Sequence, residues 1–230
     1  MYSIVISVVG GLVLGILVGL RYGILAAIFT GLFFGLILFF LLSRHFMGKL
    51  QEIQARSLKV LEAQKFDLAI KTLEEGMRYE RWMLLVKSQV KGQVGYIHYL
   101  RKEFDRALPQ LQEAFVKNWI AQGMLGACHF RRKEYDKMEA VMERAVKSNP
   151  KYPVLWGVFA YFEDELGKSD KALSVLSRGV EMNPGDEALK ANLLSLQNKT
   201  RLNMRKFGDI WYQFHFELPP NKMRQAPQPF

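Results

Sequence analysis

One cysteine, Cys128, stands in a chain of 230 residues, which excludes an intrachain disulfide framework and fits a reducing compartment. Charge is missing from a whole stretch: between Ser3 and Ser43 the only formally charged residue is Arg21. That stretch also has no acidic, histidine or amide side chain, so it lacks the intramembrane polar groups that transport or proton relay needs. No glycine cluster sits between a strand and a helix as a phosphate-cradling loop requires. The histidines, His45, His98, His129 and His215, show no metal-ligand spacing within a helix turn. Cys128 and His129 are neighbours on a helix and cannot both face one substrate, which removes a nucleophile and base pair. Acidic runs such as Glu74-Glu75 and Glu163-Asp164-Glu165 read as solvated helix ends rather than catalytic dyads. No enzyme activity, cofactor or metal is expected.

What is present is unevenly distributed. Ser3 to Leu20 and Ile24 to Leu42 are apolar runs, each long enough at about 1.5 Å per residue to cross a hydrocarbon core of ~30 Å. A second apolar run where a mature polar chain should begin argues against a cleaved signal peptide. Leu20-Arg21-Tyr22-Gly23 between them suits a tight reversal at the headgroup layer. One unbroken helix of roughly 60 Å would strand much of its apolar surface in water. The expectation is therefore a transmembrane hairpin over residues 1–45. Arg44, Lys49, Arg56 and Lys59 follow the second run against a lone Arg21 in the loop. The positive-inside bias then puts both termini and the large domain in the cytoplasm, with a bacterial inner membrane as the expected location.

Gly11, Gly15, Gly19, Gly23, Ala27, Gly31 and Gly35 place a small residue at every fourth position. Small residues let helix backbones approach where lipid offers no hydrophobic drive for association. The expected use is packing of the hairpin helices on each other, through Gly11, Gly15, Gly19, Gly31 and Gly35. The alternative is a homo-oligomer, a ring or pore built by several hairpins with the soluble part controlling assembly.

After Ser43 the chain alternates charged and apolar residues, and it repeats itself. Asn149-Pro150 and Asn183-Pro184 recur at a spacing of 34. From Trp119 to Tyr152, Leu125-Gly126, Tyr135-Asp136, Ala145 and Pro150 mark one unit, with departures at Gln122, His129 and Met138. From Pro153 to Asp186, Trp156, Ala160, Ala172, Leu176, Gly179 and Pro184 mark the next. Upstream, Val94-Gly95, Phe104-Asp105-Arg106-Ala107, Leu111 and Ala114 form a third, and Phe66-Asp67-Leu68-Ala69, Leu73 and Gly76 a weaker fourth. Ala188, Leu189, Leu193, Leu194, Leu196 and Leu202 give an apolar stripe to an expected capping helix from Asp186 to about Lys206.

The period and these residues resemble the tetratricopeptide repeat (TPR) family over roughly Leu50 to Lys206. The fold expected is all-α: the hairpin, a TPR-like α-solenoid over 46–206 with about four repeats and a cap, and an extended segment with a tail over 207–230. The resemblance implies a scaffold that binds other proteins or peptides. It also implies that the first helix of each pair lines a groove, which turns Tyr96, Tyr99, Ala127, Phe130, Arg131, Tyr161 and Asp164 towards it, with Gly92, Gly123 and Gly157 in the same lining. Members that clamp a carboxylate use Lys and Asn where this chain has Gly92, Tyr96, Gly123 and Ala127, so that subtype is not expected. His98 and His129 fall at corresponding packing positions.

From Ile210 to Leu218 apolar and polar residues alternate, which predicts an extended segment ended by Pro219-Pro220. It either docks on the repeats or offers an edge to another molecule. Asn221 to Phe230 is proline-rich and polar and is expected to be mobile. The net charge of +10 is spread over helices that also carry Glu and Asp. The clusters Arg131-Arg132-Lys133 and Arg201 to Lys206 lack a nucleic-acid reader's stacking platform, so membrane lipid, not nucleic acid, is their expected contact.

Overall fold

The computed structural model describes residues 1–220, which are helical with connecting turns and contain no strand. The chain divides into two compact units, Met1–Val90 and Lys91–Phe230.

In the first unit, α1 (Tyr2–Tyr22) and α2 (Ile24–Glu62) are separated by Gly23 alone, at φ 90°. Only glycine takes that conformation without strain, so the reversal needs no longer loop. Both helices are long and apolar enough to cross a membrane. α2 continues well past Leu42, because no proline interrupts the helix between Ser43 and Glu62. Its second half becomes amphipathic and buries Leu50, Ile53, Ser57 and Leu61 on one stripe. This stripe packs on α3 (Phe66–Glu74), where the Ser57 hydroxyl donates to the Ala69 carbonyl at 3.1 Å. The expected boundary at residue 45 thus falls inside one continuous helix. A 3₁₀ turn (Glu75–Tyr79) leads towards α4 (Val86–Leu100).

The second unit takes most of α4 and adds α5 (Phe104–Gln112), α6 (Trp119–Arg131), α7 (Tyr135–Ser148), α8 (Pro153–Glu165), α9 (Ser169–Met182) and α10 (Glu187–Gln197). Each first helix of a pair stops on a residue in the left-handed region: Lys102, Lys133, Gly167 and then Lys199. The following amide closes the helix end by bonding back five residues: Glu103 to His98 O (2.9 Å), Glu134 to His129 O (3.0 Å), Lys168 to Glu163 O (2.9 Å) and Thr200 to Ser195 O (2.9 Å). These bonds satisfy carbonyls that a helix end would otherwise leave orphaned. The flanking side chains lock the same turns. His98 Nδ1 meets Glu103 at 2.7 Å, and His129 Nδ1 meets Glu134 at 2.6 Å. In the next repeat the polarity is reversed, with Lys168 at 3.8 Å from Glu163.

The recurring Asn-Pro pairs join repeats. Asn149 Nδ2 donates to Val116 O (2.8 Å) and Ala145 O (3.0 Å), and Asn183 Nδ2 donates to Pro150 O (2.8 Å) and Gly179 O (3.0 Å). Lys117 and Lys151 add matching bonds to the Ser148 and Met182 carbonyls, each at 2.7 Å. Between the layers lies a core that includes Leu111, Met124, Leu125, Met142, Phe159, Phe162 and Leu176, all essentially inaccessible. Glycine permits the closest approaches: a Cβ on Gly95 would lie 2.9 Å from Leu111, and one on Gly179 2.9 Å from Trp156.

Two expectations require correction. The capping helix ends at Gln197, not near Lys206. After the turn at Lys199, Asn192 pins the returning chain by accepting from the Asn203 amide at 2.6 Å and donating to its carbonyl at 3.3 Å. A separate 3₁₀ turn (Met204–Phe207) follows. The segment after Gly208 is not extended: it forms a short helix, α11 (Asp209–Tyr212), and tight turns. A lone strand would leave its amides unpaired. The turns satisfy them locally, through Gln213 to Ile210 O (3.3 Å), Phe214 to Trp211 O (3.0 Å) and His215 to Tyr212 O (3.1 Å). The expectation for 221–230 lies outside the described residues.

Candidate functional site: an aromatic groove and its resident segment

The first helices α4, α6 and α8 turn Tyr96, Tyr99, Phe130, Arg131 and Tyr161 towards one another, and the chain's own C-terminal segment lies among them. Tyr99 Oη donates to the Phe214 carbonyl at 2.8 Å. Arg131 Nη2 donates to the same carbonyl at 3.0 Å and to that of His215 at 2.9 Å. Tyr96 Oη donates to Gln213 Oε1 at 3.2 Å. Burial pushes the phenols of Tyr96 and Tyr161 up to about 12, and that of Tyr99 higher. All three stay protonated as donors at neutral pH.

Aromatic contacts complete the grip. The Arg131 guanidinium sits 4.5 Å from the Phe104 ring centre and 4.3 Å from that of Phe216. Phe216 also packs on Phe130 (5.7 Å), Tyr161 (5.6 Å) and Phe162 (5.4 Å), and Trp211 meets Tyr161 edge-on at 4.9 Å. His215 stacks on Tyr99 at 5.8 Å. Burial, with Lys102 and Arg131 adding repulsion, holds the His215 imidazole below its usual range. Trp211 and Phe214 are wholly buried.

The glycines of the lining act as recesses for this segment. A Cβ on Gly123 would lie 3.1 Å from the Phe214 ring, and one on Gly157 would run into Phe207. Gly92 differs, since its Cβ would face Ala114 and Asn118. Asp164 also stands apart: its carboxylate accepts from Ser169 at 3.0 Å, across the turn into α9. Sequence reasoning missed Phe104 and Phe162 as groove residues, and missed the match of Gly123 and Gly157 to Phe214 and Phe207. The one available signal was the density of large rings from Phe207 to Phe216. Cys128 is buried, its thiol pushed up to about 12 by burial, which leaves it unreactive at neutral pH.

No protein-family model and no curated protein matches the sequence. Among solved structures, a MamA double mutant (RS-1 ArsTM) is similar at a TM-score of 0.50 and 15% identity, covering 73% of this chain and 93% of that one. The chain has a tetratricopeptide-type helical fold. A crystal structure of MamA gives a TM-score of 0.49 at 16% identity, over 74% of this chain and 97% of that one. In this chain the residues from Trp211 to Phe216 fill the space between α4, α6 and α8.

In the hairpin, Gly11, Gly15, Gly19, Gly31 and Gly35 lie along the line where α1 meets α2. A Cβ on Gly11 would lie 2.5 Å from Gly31 O, and one on Gly15 2.8 Å from Ala27 O. Cβ atoms on Gly19 and Gly35 would approach Ala27 Cβ (2.7 Å) and Ser7 O (3.2 Å). Beside this line an apolar groove of about 630 Å³ opens, lined by residues such as Ile4, Val8, Leu12, Leu32, Leu36 and Phe39.

Proposed function

We propose that this chain is a membrane-anchored scaffold that binds protein or peptide partners through its repeat groove at the cytoplasmic face, with its own C-terminal segment as the resident ligand. The observation that carries the reading is the seating of Trp211 to Phe216 in the groove. Tyr99 and Arg131 hold backbone carbonyls, which any peptide offers, while rings and recesses choose the side chains. The seat is imperfect, since Trp211 Nε1, His215 Nε2 and Arg131 Nε are buried without a hydrogen-bond partner among the described residues. Each such group costs about 1–3 kcal/mol, which keeps the segment exchangeable for a better-matched peptide.

Anchoring by α1 and α2 is supported by their length and by ring after ring of exposed apolar side chains, Leu20, Leu25, Phe29 and Phe33 among them. Arg44, Lys49, Arg56 and Lys59 against Arg21 support the cytoplasmic orientation, as in a bacterial inner membrane. The glycine line is consumed by the α1–α2 contact, which favours a hairpin over a ring of hairpins. Co-purification from solubilised membranes tests the groove. Phe214→Ala with Phe216→Ala, which frees the groove, is expected to raise partner recovery, and Tyr99→Ala with Phe130→Ala to lower it. Identical recovery in all three chains would remove the groove reading.

A further inference from the structure

We propose that residues 78–85, with Tyr2 and Phe46, form an interfacial anchor that seats on the headgroup layer of an anionic phospholipid bilayer. This inference rests on the reading that α1 and α2 span the membrane, and it assigns to that anchor a lipid partner and a surface.

The placement is set by hydrogen bonds. The first amides of a helix have no intrahelical acceptor. In α1 the Tyr2 amide donates to the Arg81 carbonyl at 2.7 Å, and the Ser3 hydroxyl donates to the Trp82 carbonyl at 2.6 Å. The turn from 80 to 85 is therefore stitched to the first residues of the proposed span, at the depth where that span meets the headgroups. Rings reinforce the stitch: Trp82 meets Tyr2 edge-on at 5.4 Å and Phe46 at 4.7 Å, and Phe46 meets Tyr79 at 5.8 Å. Trp and Tyr are the residues that favour this layer, having one apolar end and one polar end.

The turn itself is wrong for water and right for an interface. Leu84 and Leu85 are 54% and 47% exposed, and Leu85 holds a left-handed φ of 68°. A strained, exposed Leu-Leu turn has no benefit in water, where glycine or asparagine would serve. Against a bilayer the two side chains enter the acyl boundary. The charge agrees: Arg44, Lys49, Arg78 and Arg81 are exposed around the turn. Of the nearby acids, Glu52 lies 3.8 Å from Lys49 and Glu75 pairs with Arg56 at 3.0 Å, leaving Glu74 and Glu80 against Arg44, Arg78 and Arg81. Each cation close to an anionic surface strengthens attachment by about fivefold.

The test uses the full chain in nanodiscs of phosphatidylcholine alone or mixed with phosphatidylglycerol. A nitroxide is placed at Leu84→Cys, and native Cys128, 1% exposed, stays unlabelled. Phe29→Cys marks the span and Asp136→Cys the aqueous phase. Collision with oxygen against a nickel chelate reads the depth. The expected result is a Leu84 label shielded from nickel relative to Asp136, more so with phosphatidylglycerol, and a loss of that lipid difference in Arg78→Glu with Arg81→Glu. A Leu84 label as open to nickel as Asp136, with Phe29 in lipid, overturns the interfacial anchor and leaves the span standing. Phe29 open to nickel overturns both. Equal shielding in both lipids, unmoved by charge reversal, overturns the anionic partner.

Discussion

Arg131→Ala removes the side chain that ties the C-terminal segment to the repeats at most points. Its Nη2 gives two charge-assisted bonds to carbonyls, at 3.0 and 2.9 Å, and its guanidinium lies between the Phe104 and Phe216 rings. A hydrogen bond to a charged group contributes about 1.5–3 kcal/mol and a cation–π contact about 0.5–2 kcal/mol. The two bonds share one nitrogen, and the Phe214 carbonyl keeps its bond from Tyr99. A net loss of about 2–4 kcal/mol follows, or a ~30-fold to ~1,000-fold rise in the undocked fraction. Amide hydrogen exchange of the full chain in detergent checks this. Residues 204–217 are expected to exchange faster by that factor while α6 and α8 keep their protection. Arg131→Lys should recover little, because an ammonium has no planar face to stack between the Phe104 and Phe216 rings. A change below about fivefold in 204–217, or one shared equally by every helix, refutes the reasoning.

Lowering the pH should loosen the same contact. The His215 pKa is depressed in the docked state, so docking is at full strength above the free value of ~6.5 and is lost as pH falls through the lower docked value. Imidazole NMR titration should place His215 below 6.5, and His215→Phe should remove the pH dependence of the protection factors in 209–217, taken relative to intrinsic exchange. Lys102→Gly and Lys133→Gly should each stabilise the repeat unit by about 0.5–1 kcal/mol, because both residues hold a left-handed conformation that costs little for glycine. Chemical denaturation of the two variants checks that. Gly15→Leu with Gly31→Leu must separate α1 from α2, since backbone atoms already lie within 3.5 Å of a Cβ at either position. The hairpin should melt at a lower temperature in detergent with unchanged particle mass, and a changed mass would favour the oligomer.

The repeat pattern could be read because its marks are steric or stoichiometric. Asn149 and Asn183 each satisfy a carbonyl of the preceding repeat, and Gly95 and Gly179 sit where a Cβ has no room. The reversal at Gly23 was legible for the same reason, as glycine tolerates its φ of 90°. The end of α10 was hidden because its left-handed residue is Lys199, which carries no turn signature. The shape of 209–217 was hidden because alternation counts apolar positions without weighing size. Trp211 lies in the set that alternation assigns to the polar side, yet it is the largest buried side chain of the segment. Asp164 was placed in the groove by the family resemblance, whereas its carboxylate accepts from Ser169 across the turn into α9.

The uninterrupted run of α2 from Ile24 to Glu62 makes the outer part of the hairpin and the first half of a repeat a single rod, roughly 60 Å long. Such a rod works as a lever. On the proposed anchoring, a thinner bilayer that makes its apolar half lean swings the other half by the same angle, and α3, which packs on it, moves too. On that proposal, local membrane thickness becomes a displacement of α3, because α2 has no break between its two halves.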